Sequence, residues 1–123
     1  DGDRIRSDTA LIAPGGFHLR VQGDRVALST TPPIGGLRPR ADITIEDAAR
    51  EWSDRVVLIV LTGMGSDGLK GARALRGAGG VILTEAEESC VVYGMPRSIE
   101  EAGLSDIVQP LDRLATALTG VIR

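Results

Sequence analysis

The chain has 123 residues, with 14 Lys and Arg against 17 Asp and Glu, and a net charge of −3. At 42% hydrophobic and 25% charged it has the balance of one globular domain, which excludes a disordered, collagenous or low-complexity chain. One Cys and one His exclude a disulfide framework and a Cys/His zinc site. The longest apolar run, Val56 to Leu61, is too short for a membrane-spanning helix, and no charged-then-apolar leader opens the chain, so the expected compartment is the cytoplasm. Scattered basic residues and only three aromatics, Phe17, Trp52 and Tyr93, argue against a nucleic-acid groove.

Residues 1 to about 40 read as irregular and β-rich. Phe17 to Val21 and Arg25 to Ser29 alternate apolar and polar around Gln22-Gly23-Asp24, which predicts a β-hairpin. Thr30 to Pro39, rich in Pro and Gly, predicts a loop. From Asp42 the pattern becomes α/β. Ile45, Ala48, Ala49 and Trp52 form an amphipathic helix stripe, with Asp42 placed to cap it. Val56 to Leu61 predicts a central strand buried on both faces of a parallel sheet. Leu69 to Ala78 predicts a helix stopped by Gly79-Gly80. Val81 to Leu83 is a second strand, and Pro96 to Ala102 a helix with Gly103 as its stop. Ile107-Val108 is a third strand. Asp112 then caps a last helix with Leu114, Ala117, Leu118 and Val121 on one face. Strands alternating with helices define an α/β fold with a parallel sheet.

The turn Leu61 to Gly68 carries most of the chemical information, because open parallel sheets bind ligands at the carboxyl ends of their strands. Gly63, Gly65 and Gly68 spell G-x-G-x-x-G, and Glu85 stands at the distance of a ribose contact. Against dinucleotide binding, Asp67 places a carboxylate at the helix terminus where a pyrophosphate would sit. A P-loop fails because Leu69 stands where the lysine belongs. A third reading makes Asp67 the orienting carboxylate of a Ser-His-Asp triad; its structural counterpart is a simple cap on the helix that follows. Ser66 misses the nucleophile elbow G-x-S-x-G, since Met64 occupies the first position, and reads as a turn residue. His18 reads as a hairpin histidine satisfied by backbone, and Cys90 as a small buried side chain rather than the thiol of a Cys-His dyad. The loop Glu85 to Met95 is either a surface loop or a wall of the cleft, with Gly94-Met95 admitting substrate to the backbone. Arg97 reads as a surface residue, and Arg38 and Arg40 as weak candidates for contact with an acidic partner.

LTGMGSDGLKGARALRGAGG together with EAEESCVVYGMPRSIEEAG resembles the catalytic domain of the chemotaxis protein-glutamate methylesterase family (CheB). The opening DGDRIRSDTALIAPGGFHLRV and the Arg38-Pro39-x-x-Asp42 segment resemble it as well, so the likeness covers essentially the whole chain. It implies a doubly wound, mostly parallel, Rossmann-like α/β sheet with a small N-terminal β-hairpin. It also implies a hydrolase that removes methyl groups from glutamate esters on chemoreceptor helices, with glutamine deamidation in many members, and no cofactor or metal. The partners implied are methylated chemoreceptor cytoplasmic helices and an upstream receiver domain. By motif position Asp67 is the triad aspartate. Met64 and Gly65 form the active-site loop, with an oxyanion contribution from the Met64 backbone, and Tyr93, Gly94 and Met95 line the substrate cleft. The family's serine and histidine lie upstream of the segment that matches Asp1. Residues 1–123 are therefore expected to be the C-terminal portion of the domain, truncated at the N-terminus and inactive alone. A non-catalytic module that binds a receptor or partner is the alternative.

Overall fold

A computed structural model describes residues 1–122 of the chain. Strand β1 (His18–Gln22) pairs antiparallel with β2 (Arg25–Ser29), and Gln22 faces Arg25 across a two-residue turn. Gly23 supplies the turn its φ of +61°. The hairpin is the one expected, displaced by one residue at its start. Helix α1 (Ala41–Trp52) follows the Pro-rich loop and packs against both β1 and α2 (Leu69–Ala78). Trp52 fixes the hairpin tip by donating its indole N–H to Gly23 O at 2.8 Å.

The second sheet is parallel, in the order β3 (Val57–Val60), β4 (Val81–Glu85), β5 (Ile107–Gln109). Helix α2 joins β3 to β4, and α3 (Met95–Glu101) joins β4 to β5. Helix α4 (Leu111–Val121) closes the described chain and packs on β4 and β5. Side chains alternate across a strand. Ile82 points into the core of Ile45, Ala49, Val60, Ala72, Leu75 and Ile99, while its neighbour Leu83 faces the other way, where Leu114 of α4 is buried. Helices thus cover both faces of the parallel sheet that the periodicity indicates, the doubly wound α/β class that the resemblance implies.

Three expectations need correction. The apolar run at Val56 forms an edge strand of the described sheet, and among its residues only Val60 is buried. Among the described strands β4 is the one with a partner on each side; it runs to Glu85 and is buried over Ile82 to Glu85. Two aspartates also do not cap their own helices: Asp42 and Asp112 lie inside the first turns of α1 and α4, whose N-cap residues are Arg40 and Pro110. Helix α3 likewise starts at Met95, so Pro96 is its second residue.

The end of α2 is as expected. Gly79 adopts φ +89°, and the N–H groups of Gly79 and Gly80 return to Arg76 O and Leu75 O, a Schellman motif. Gly71 lets α2 approach α1: a Cβ there would lie 2.6 Å from the Ile45 Cβ. The hairpin is tied to α1 by Asp47, which is 2% exposed and accepts from Arg20, Arg50 and the Val21 N–H. Burial pushes the Asp47 carboxyl upward, but those three donors outweigh it and leave the group below its ordinary range. Among the described residues no helix is long and apolar enough to cross a membrane.

Candidate active site

The loop after β3 is sewn to the loop after β4. Thr62 donates its N–H to Glu85 Oε1 at 2.8 Å, and Ser89 donates its hydroxyl to Glu85 Oε2 at 2.8 Å. Glu85 is 1% exposed, so its carboxylate braces these two loops from beneath and is not presented to a ribose. Above it, Gly63 donates to Val92 O at 3.0 Å and accepts from Gly94 and Met95 at 3.0 and 2.8 Å. The Thr62 hydroxyl accepts from Val92 N–H and donates to Val92 O.

Gly94 owes its identity to this seam. A Cβ there would lie 2.7 Å from Gly63 O, 3.0 Å from Gly65 N and 3.2 Å from Met64 Cα. The backbone approach that Gly94 permits is therefore to the partner loop. Met64 and Gly65 are carried at the crest, with Met64 82% exposed and Gly65 at φ +85°. Among the described residues their N–H groups are given to no protein acceptor. Val91, in the loop that follows β4, is 89% exposed. Tyr93 bridges to Gly63 in the seam and gives its hydroxyl to Glu100; that bond, then burial, pushes its phenol up to about 12. The Cys90 thiol is raised first by burial and then by Glu85 and Glu100, which leaves a poor nucleophile. Sγ contacts Glu85 O at 3.7 Å.

Asp67 ends the loop, and its carboxylate does not cap the helix that follows. It accepts from the first N–H groups of α1, Ala41 at 2.7 Å and Asp42 at 2.9 Å. Asp42 returns the arrangement: its Oδ1 accepts from Gly68 at 2.9 Å and Gly71 at 2.8 Å, the start of α2. Each helix terminus is thus held by the carboxylate that belongs to the other, and each carboxylate sits at a positive helix end. Arg40 lies between them, bonded to Asp42 Oδ2 at 2.9 Å and 3.6 Å from Asp67 Oδ1. The terminus of α2, which the glycine pattern offered to a pyrophosphate, is already occupied by Asp42. Asp67 borders an open cavity lined by Leu11, Leu19, Pro39 and Leu58.

His18 lies apart from this chemistry as a fully buried residue. Its Nδ1 accepts from Arg40 N–H at 3.3 Å, so Nε2 carries the proton and donates to Pro32 O at 3.0 Å. Arg38 donates to Thr30 O and Thr31 O, and Arg40 pairs with the two aspartates, so both make internal ties. Arg97 pairs with Glu101 on the exposed face of α3. Sequence reasoning placed Asp67, Met64, Gly65, Tyr93, Gly94 and Met95, and the seam brings these two groups of residues side by side. It missed Glu85 as a brace and Asp42 as the reciprocal cap. The available signal was a pair of aspartates, each at the start of its own helix pattern.

A parallel sheet with helices on both faces and polar loops gathered at its carboxyl edge defines an α/β domain of the kind that carries catalytic sites on those loops. The family model described as CheB methylesterase matches residues 1–118. A protein-glutamate methylesterase/protein-glutamine glutaminase of Symbiobacterium thermophilum is 44% identical over 122 residues, covering 98% of this chain and 34% of that protein. A Pseudomonas aeruginosa protein of the same description is 44% identical over 122 residues, covering 96% of this chain and 35% of its own length. The crystal structure of the Thermotoga maritima CheB methylesterase catalytic domain superposes with a TM-score of 0.93 at 36% identity, over 99% of this chain and 67% of that one. The chain belongs to the CheB methylesterase family. It spans about a third of the length of the curated relatives it matches.

Proposed function

We propose that residues 1–123 are the C-terminal portion of a protein-glutamate methylesterase catalytic domain, and that Asp67 is the orienting carboxylate of its Ser-His-Asp triad. The observation that carries this reading is the fixed, largely buried carboxylate of Asp67 at the same sheet edge as the uncommitted N–H groups of Met64 and Gly65. Two backbone donors set the plane of the carboxylate, and each oxygen keeps a lone pair for a further donor. A histidine N–H placed there is held in one tautomer, and the imidazolium formed during proton transfer is stabilised. The serine and histidine come from segments upstream of Asp1. The serine attacks the methyl ester carbonyl, the histidine takes its proton and returns it to the departing methanol, and water releases the acyl-enzyme. The Met64 N–H stabilises the oxyanion.

The substrate class is methylated glutamate on the cytoplasmic helices of chemoreceptors, and glutamine deamidation proceeds by the same acyl chemistry. The protein acts in the cytoplasm, under an upstream receiver domain. The second reading is a non-catalytic module that binds a receptor or partner. Methanol release by the intact protein, with Asp67→Asn as the variant, separates the two. The triad reading expects release by the wild type and a loss of about 10⁴-fold in kcat on substitution. No release by the wild type, or wild-type turnover in Asp67→Asn, refutes it.

A further inference from the structure

We infer that Asp42 and Arg40 are positioning residues for the Asp67 carboxylate, an inference that rests on the triad reading above. Asp67 is attached to the start of α1, whereas its own chain continues into α2. Its position is therefore set by how the two helix starts are registered, and Asp42 sets that register. Asp42 is 2% exposed, and both of its oxygens are committed: Oδ1 to Gly68 and Gly71 of α2, Oδ2 to Arg40 Nε and Nη2 at 3.2 and 2.9 Å. A slide of one helix along the other breaks bonds at both termini together. The close contact of Gly71 with Ile45 leaves no slack for such a slide.

Arg40 serves a second purpose. Two carboxylates lie against adjoining helix ends, and a single guanidinium stands between them. Its other nitrogen is anchored to Ile34 O at 3.1 Å, so the cation is fixed rather than swinging on a free stem. Without it the two anions repel, and Asp67 is the more mobile of the two, since it ends a loop while Asp42 sits inside a helix. A displacement of about 1 Å in a group that orients the base is enough to cost about a hundredfold in rate.

Asp42→Asn isolates the clamp from the cap. Its carbonyl oxygen keeps the Gly68 and Gly71 bonds, but its amide N–H group now faces the Arg40 donors. In the intact enzyme, Asp42→Asn and Arg40→Gln are expected to lower kcat for methanol release by about ten- to a hundredfold, with KM little changed, at temperatures well below unfolding. Arg40→Lys, which returns the charge without the fork, recovers part of the loss. Asp47→Asn supplies the structural comparison: it breaks an equally buried carboxylate network on the far side of α1, and is expected to lower Tm while leaving kcat at the wild-type value. Wild-type kcat in both Arg40→Gln and Asp42→Asn, with Asp67→Asn inactive, overturns the inference and leaves the triad reading intact. An equal kcat loss in Asp47→Asn overturns it too, because the effect is then general loosening. Wild-type turnover in Asp67→Asn removes the triad reading and the inference with it. Should Asp42→Asn fail to fold, the Arg40→Gln and Arg40→Lys pair decides the matter by the same comparison.

Discussion

Replacing Gly94 with Ala measures how firmly the two loops at the sheet's carboxyl edge are joined. The added Cβ meets Gly63 O at 2.7 Å, Gly65 N at 3.0 Å and Met64 Cα at 3.2 Å. All three are backbone atoms, so no rotamer change relieves the overlap and the loops must separate. Overpacking of this kind costs about 1–3 kcal/mol. Separation also strains the bonds through Gly63, which donates to Val92 and accepts from Gly94 and Met95. At about 1 kcal/mol net for each hydrogen bond lost, one lost bond brings the total to about 2–4 kcal/mol. Gly77→Ala is the matched comparison. Gly77 lies within α2 with nothing near its added Cβ, so Ala there is expected to stabilise by about 0.5–1 kcal/mol. Urea denaturation of the intact protein and both variants reads the difference as a shift in midpoint at unchanged slope. Hydrogen exchange at the Gly63 amide locates it, with protection lost in Gly94→Ala and retained in Gly77→Ala. If Gly94→Ala is as stable as the wild type, the seam is not a backbone contact and the account of the site's shape is wrong.

The Asp47 carboxyl lies below its ordinary range in the folded state, so its stabilisation is present above the unfolded carboxylate pKa of about 4 and is lost as pH falls through the folded value. The stability deficit of Asp47→Asn should accordingly be larger at pH 7 than at pH 3, as denaturation at the two pH values checks; an equal deficit refutes the assignment. The Cys90 thiol, raised by burial and by the neighbouring glutamates, should react with iodoacetamide at pH 7.5 more slowly than glutathione does, and a faster rate contradicts the placement.

The local patterns of the chain determined where its elements lie, because helix and strand periodicity depend on neighbours three or four residues away, or two. The stripe of α1, the span of α2 with its Gly79-Gly80 stop, the hairpin and the inward face of α4 were all legible on that basis. So was the loop that bears Asp67, since glycine clusters between a strand and a helix mark the carboxyl edge of a parallel sheet. Asp42 and Asp112, in contrast, looked like caps of their own helices because a short polar side chain at a helix start satisfies any nearby N–H. Which N–H is nearest depends on packing. Asp42 and the Gly68 N–H are 26 residues apart in the chain and 2.9 Å apart in space. The same reason hid the roles of Glu85, which reaches back to Thr62, and of Gly94, whose missing side chain matters only once a second loop lies against it. Strand order is equally non-local. VVLIVL reads as central because it is continuously apolar, yet among the described residues β4 is the strand with a partner on each side. Sequence settles what each segment is; tertiary structure settles which carboxylate meets which helix end, and in this chain that exchange holds Asp67 in place.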